Sequence, residues 1–176
     1  RTTQSVVIER RWRGDRPTRG CLPSRGLTRR ARRPHNETYA EDRSNLGLVH
    51  HAYPLMKEGG RVIAVSSLGS VRAIENYTTV GASKAALESL VRHLAVEFGP
   101  RGIRVNTISA GVVDTDALKK FPNREIILEN ALQRTPLGRL ITTDDVADVT
   151  LFLCSNLSNM IQGQVITVDG GYAIMG

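Results

Sequence analysis

Apolar and polar positions divide this chain into a patternless first fifth and an ordered remainder. Residues 1–35 hold no sustained apolar period and are broken by Pro17, Pro23, Pro34, Gly14, Gly20 and Gly26. Such a segment buries too little apolar surface to offset the entropy of ordering it. Beyond it the periods sharpen. Residues 45–57 read as a short helix stopped by Glu58-Gly59-Gly60. Residues 61–66 (RVIAVS) form a β-branched run bounded by glycine, the pattern of a strand buried on both faces. Residues 79–98 carry Ala82, Ala86, Leu90, Leu94 and Phe98 at helical spacing, ended by Gly99-Pro100. Residues 103–109 read as a second strand. Thr142-Thr-Asp-Asp145 has the form of a capping box and opens a helix through Cys154. Residues 164–168 give a last strand, closed by Asp169-Gly170-Gly171. Strands alternating with helices predict βαβ units, right-handed crossovers and a parallel sheet.

Charge follows the same division. The net charge of +7 is carried by residues 1–35, which hold eleven arginines and no lysine against Glu9 and Asp15. From residue 36 onward, thirteen Lys and Arg face fifteen Asp and Glu, so the body is close to neutral. The arginines admit a nucleic-acid-binding arm, since guanidinium groups neutralise phosphates, but no helical face or known module accompanies them. The other readings are a disordered tail and a stretch translated in the wrong frame. Residues 1–40 are therefore expected to be an Arg-rich disordered or non-native segment, and residues 41–176 a partial domain. No apolar run reaches the roughly 20 residues a membrane helix needs. Cys21 and Cys154 have neither metal-like spacing nor a disulfide pattern. A cytoplasmic protein without metal, membrane or nucleic-acid partner is the expectation.

The chemistry lies near the ends of the first strand. Ser66 and Ser67 close it, on the carboxyl edge where open α/β sheets bind ligands. Tyr77 follows ten residues later and Lys84 seven residues after that. Seven residues is almost two helical turns, so one face can present both if the helix begins early enough. An ammonium near a phenol favours negative charge there, which suits a proton donor or oxyanion stabiliser. Taken alone, a tyrosine at a helix start is more often a packing residue, and a helical lysine a solvated charge. Tyr53-Pro-Leu-Met-Lys57 offers a four-residue Tyr–Lys spacing, but it precedes the Ser67 strand and Pro54 interrupts it.

The ordered set Val65-Ser-Ser67, Tyr77, Lys84, Ile103-Arg-Val-Asn106, Ser109-Ala-Gly111, Thr115, Pro136-Leu-Gly-Arg139 and Val168-Asp-Gly-Gly171 resembles the short-chain dehydrogenase/reductase family. The resemblance implies the C-terminal part of a Rossmann-like, doubly wound α/β sheet with its first strands unrecognisable. Family members with a four-residue Tyr–Lys spacing would place tyrosine where this chain has Val80. A seven-residue spacing resembles the enoyl-acyl-carrier-protein reductases. Serine at position 67, Asn76-Tyr-Thr-Thr-Val-Gly81 and residues 114–125 resemble their NADPH-dependent L-type, which is comparatively tolerant of triclosan.

That likeness implies an oxidoreductase of fatty acid synthesis that reduces a trans-2-enoyl thioester linked to acyl carrier protein or coenzyme A. Tyr77 would donate to the enolate oxygen and Lys84 would bind the nicotinamide ribose. Ser67 would add a polar contact, while Gly111, Val113 and Thr115 would hold the carboxamide side of the ring. Residues 117–132 would cover the acyl chain, or form only an amphipathic surface helix. NADPH is the implied cofactor, with NADH the open alternative, and the implied assembly is a homotetramer formed partly through the Tyr77–Lys84 helix. No Gly-x-Gly-x-x-Gly or Gly-x-x-x-Gly-x-Gly turn, the family's seat for pyrophosphate, occurs in the chain. An N-terminal half missing or altered, with little activity as the chain stands, is the expectation. A 3-oxoacyl reductase and a non-catalytic fragment are the competing readings.

Overall fold

The structure is a computed structural model that describes residues 6–9, 46–56, 59–116, 118–120 and 123–175. Four strands form one sheet in the order β1 (Val6–Glu9), β2 (Arg61–Ser67), β3 (Arg104–Ala110) and β4 (Val165–Val168). β2, β3 and β4 are parallel, with Val62 opposite Val105 and Ile108 opposite Ile166. Among the described residues, four α-helices accompany them: α1 at residues 46–52, α2 (Thr78–Phe98), α3 (Arg124–Arg134) and α4 (Thr143–Cys154). The fold class is α/β, as the alternating periods predict.

Alternate side chains of a strand face opposite sides of the sheet, and here both sides are dry. Val62, Ala64 and Val105 pack with Leu87, Val91, Leu94, Ala95 and Phe98 of α2 and with Val49 and Met56. Ile63 and Ile108 face the other way, against Leu153 of α4, with Val146 and Val149 packed around them. This two-sided burial is why β2 reads as a continuous apolar run rather than an alternating one. Each fully buried branched side chain stabilises the fold by about 1.5–3 kcal/mol. Asn106, 1% exposed, ties β3 to the segment before β4 by donating to Ile161 O at 2.9 Å and accepting from Gln164 N at 2.9 Å.

Two expectations need correction. Of the residues at helical spacing, Leu94 and Phe98 are buried and Leu90 packs against the core, but Ala82 and Ala86 are exposed; α2 buries Gly81, Ser83, Lys84, Leu87, Glu88, Val91 and Ala95 beside them. The helix is rotated so that polar Lys84 and Glu88 lie inward, a choice that apolar periodicity cannot register. The second concerns the N-terminal stretch. Val6–Glu9 forms a strand that pairs antiparallel with β2, Val6 opposite Ala64 and Glu9 opposite Arg61. Four residues are too few to show a period, and their partner lies over fifty residues away in sequence. The absence of any ordered element thus fails for these four residues; the rest of 1–45 lies outside the described residues.

The capping box is present as expected. Thr142 Oγ1 accepts from Asp145 N at 3.2 Å, while the Asp145 carboxylate accepts from Thr142 N at 2.7 Å. Tyr53 sits in a 3-10 turn, stacked on Phe98 at 4.4 Å between ring centroids and covered by the Arg101 guanidinium at 4.3 Å. It therefore packs at the carboxyl end of α2, about 30 Å from the Tyr77 end at 1.5 Å rise per residue.

Candidate active site

The carboxyl end of β2 is bound to the first half of α2 by three successive residues. The Val65 carbonyl accepts from Lys84 Nζ at 3.0 Å. The Ser66 hydroxyl donates to Glu88 Oε1 at 2.6 Å. The Ser67 and Tyr77 hydroxyl oxygens lie 3.3 Å apart. Tyr77 is the N-cap residue of α2, and Lys84, two turns on, is 7% exposed. The structure thus brings Ser67 and Tyr77 together and aims the Lys84 ammonium at the same strand end.

Two glycines shape the seat of the Tyr77 ring. A Cβ on Gly69 would lie 2.5 Å from the ring's Cδ1 and Cε1, and a Cβ on Gly81 would lie 2.6 Å from the Gly69 carbonyl oxygen. Any side chain at either place would push the ring or the 68–70 turn aside. Asn76, immediately before Tyr77, has φ of 57°, a left-handed conformation that asparagine tolerates better than most residues. Ring packing and backbone turn together leave the phenol little freedom. Arg72, in the same loop, donates to the Ala173 carbonyl and so ties the loop to the C-terminal segment.

Gly111, Val113 and Thr115 line the exit of β3, next to that of β2. Gly111 N donates to Val168 O at 2.9 Å, and a Cβ there would meet Asp169 Cβ at 2.8 Å. Glycine is thus required where the loops after β3 and β4 cross. Val113 forms an isolated bridge with Ile141. Thr115 Oγ1 accepts from Leu118 N at 3.4 Å, beginning the 3-10 turn Leu118–Lys120. Residue 117 lies outside the described residues; the stretch beyond 123 includes α3, which buries only Ala131. An Asp114–Arg124 pair, with Arg124 Nε donating to Asp114 Oδ1 at 2.9 Å, spans the 114–124 segment. The Arg124 guanidinium beside it holds the Asp114 carboxyl below its ordinary range.

The sequence reading did not single out Glu88, Gly69 or Arg72, and it quoted Asn76 only within the 76–81 motif. Glu88 alone left a signal, standing four residues after Lys84 and therefore on the same helix face.

A parallel sheet with helices packed on both faces, carrying the motif order quoted above, has the fold of the short-chain dehydrogenase/reductase class. Residues 41–173 match the family described as enoyl-(acyl carrier protein) reductase, and the chain belongs to that family. It is 44% identical over 129 residues to 1-cyclohexenylcarbonyl-CoA reductase of Streptomyces collinus, covering 72% of this chain and 46% of that one. Identity to the NADH-type enoyl-acyl-carrier-protein reductase FabI of Nostoc is 46% over 125 residues, covering 71% and 48%. Among solved structures, the Bacillus cereus enoyl-acyl carrier protein reductase with NADP+ and indole naphthyridinone superposes with a TM-score of 0.73 at 39% identity, covering 76% of this chain and 52% of that one. The chain spans about half the length of these relatives.

Proposed function

We propose that this chain carries the catalytic half of a nicotinamide-dependent enoyl-thioester reductase. The observation that carries the reading is the Ser67–Tyr77 hydroxyl pair, 3.3 Å apart, with Lys84 buried two turns along the same helix. The donor set fits the nicotinamide ribose: an ammonium for its hydroxyls, beside two hydroxyls for a substrate carbonyl. A nicotinamide dinucleotide, when bound, supplies the hydride that reduces the double bond. Tyr77 donates its hydroxyl proton in a hydrogen bond to the thioester oxygen, where negative charge develops. Lys84 favours that charge and holds the ribose. Ser67 orients the phenol and offers a further polar contact. Gly111, Val113 and Thr115 would hold the carboxamide side of the ring, partly through backbone groups.

Relatives named for an acyl-carrier-protein substrate and for a CoA substrate share the enoyl thioester, so that group defines the substrate class here. We assign NADPH as the donor from the likeness to the L-type enzymes, with triclosan tolerance following from it. The relatives named for NADH make that nucleotide the competitor, and parallel titrations decide between them. No described helix is long and apolar enough to cross a membrane, and a cytoplasmic enzyme fits the reading. A homo-oligomer formed along α2 would cover the exposed Ala82, Ala86 and Val96.

The test is reduction of a short trans-2-enoyl thioester followed by loss of NADPH absorbance. Because no Gly-rich pyrophosphate turn occurs in this sequence, slow turnover is expected and the assay needs high cofactor concentration. Tyr77→Phe should lower kcat about 10²–10³-fold, with NADPH affinity, read by fluorescence, unchanged. Reduction of a 3-oxoacyl thioester in place of the enoyl thioester would overturn the assignment.

A further inference from the structure

We propose that Ser66 and Glu88 form a positioning pair that sets the distance between Tyr77 and the end of β2; the inference rests on the enoyl-reductase reading above. Glu88 is 5% exposed and Ser66 3%. Ionisable and hydroxyl groups buried so deeply destabilise a fold unless they are partnered. An apolar residue would fill this face of α2 at less cost, so the carboxyl group is better explained by what its bond does. At 2.6 Å the Ser66–Glu88 contact lies in the short range of hydroxyl-to-carboxylate bonds. It is directional, unlike the apolar packing of Leu87 and Val91 around it.

Its location gives the bond a role. Ser66 shares the α2-facing side of β2 with Val62 and Ala64, between the residue whose carbonyl accepts from Lys84 and the residue whose hydroxyl meets Tyr77. Glu88 stands one turn beyond Lys84. The Ser66–Glu88 bond therefore registers the strand against the helix at the point from which both site contacts hang. A slip of the strand along α2 would lengthen the Ser67–Tyr77 and Val65–Lys84 contacts together. Neither Ser66 nor Glu88 needs to touch substrate or cofactor.

The experiment compares Ser66→Ala, Glu88→Ala, their combination and Glu88→Gln in the full chain. Displacements near 1 Å cost about 10²-fold in rate, so each alanine variant should lower kcat about 10–100-fold. KM should hold and NADPH affinity should fall less than kcat, and the double variant should be no worse than either single. Glu88→Gln keeps an oxygen that accepts from Ser66 and should recover most of the turnover. Hydrogen exchange supplies a second reading that needs no activity. Amides in 67–81 should exchange faster in the alanine variants and return to normal in Glu88→Gln, while those of β3 stay unchanged. If Glu88→Ala does not fold, Ser66→Ala, which loses one oxygen atom, carries the comparison.

Additive effects, a glutamine variant as damaged as alanine, or faster exchange spread equally to β3 would each overturn the proposal and leave a merely structural bond. If the unsubstituted chain reduces a 3-oxoacyl thioester and no enoyl thioester, the functional reading fails by itself. The exchange measurement then still decides whether the pair holds the 67–81 segment in place.

Discussion

The two sides of the candidate site are held by different forces. On one side, Tyr77 and Lys84 rest on buried contacts: a phenol ring against Gly69, an ammonium on the Val65 carbonyl, and a hydrophobic cluster from Leu87 to Phe98 beneath them. On the other side, the 114–134 stretch presents exposed ion pairs, Asp114–Arg124 and Lys119–Asp116, and α3 buries only Ala131. Packed contacts keep a geometry to within fractions of an ångström, because a dense interior deforms in discrete steps. Exposed pairs are weak and screened by salt. On the proposed reading, the chemistry would rest on the packed side, and the exposed side would be the cover over the acyl chain.

The sharpest way to break this contrast is at Lys84. Lys84→Ala removes the ammonium from the buried side and should weaken NADPH binding as well as turnover, the rate falling about 10²–10³-fold in the range of a lost oxyanion donor. A variant with normal cofactor affinity, measured by fluorescence titration, would take Lys84 out of the ribose role. Gly69→Ala comes next. The added methyl meets the Tyr77 ring at 2.5 Å, and overpacking of that kind costs about 1–3 kcal/mol. A lower melting temperature and a loss of kcat should appear together; an unchanged kcat would show that the ring is not held as tightly as its seat suggests.

A smaller effect is expected at the start of α4. The Arg139 guanidinium, with help from the backbone and hydroxyl of Thr142, holds the Asp145 carboxyl well below its ordinary value of 3.8. A carboxyl with a lowered folded-state pKa stabilises the fold fully above its unfolded value, and that contribution is lost as pH falls through 3.8 toward the folded value. Asp145→Asn removes that contribution, so the melting temperature should fall slightly at neutral pH and the acid side of its profile should flatten. The smallest effect belongs to the cover. Asp114→Asn breaks an exposed pair, so the melting temperature should hold while KM for the enoyl thioester rises and loses its salt dependence. A large drop in melting temperature would mean that the 114–124 stretch is packed after all, and the contrast would collapse.

Much of this molecule was legible from residue order because the signals were local. Helix and strand periods, the Thr142–Asp145 capping box and the stops at Gly99 and Gly170 depend on neighbours within a turn or two. The Tyr77–Lys84 spacing belongs to the same kind, since 3.6 residues per turn fixes the angle between two side chains once the helix exists. The rest depended on residues far apart in sequence. Apolar spacing predicted the helix but not which of its residues turn inward, and Ala82 and Ala86 do not. Which face turns inward was decided by what β2 presents, and it presents the Val65 carbonyl and the Ser66 hydroxyl to Lys84 and Glu88.

The contact of Ser67 with Tyr77, the closeness of Gly69 to the phenol ring and the pairing of Val6–Glu9 with β2 have the same origin. Each joins groups whose separation is set by loop closure and packing rather than by local periodicity. The sequence by itself therefore determined the elements, their order and the types of side chain that could do chemistry. Only the tertiary structure decided which of those side chains meet, because a buried hydrogen bond forms between surfaces that exist only once the helix has docked on the sheet.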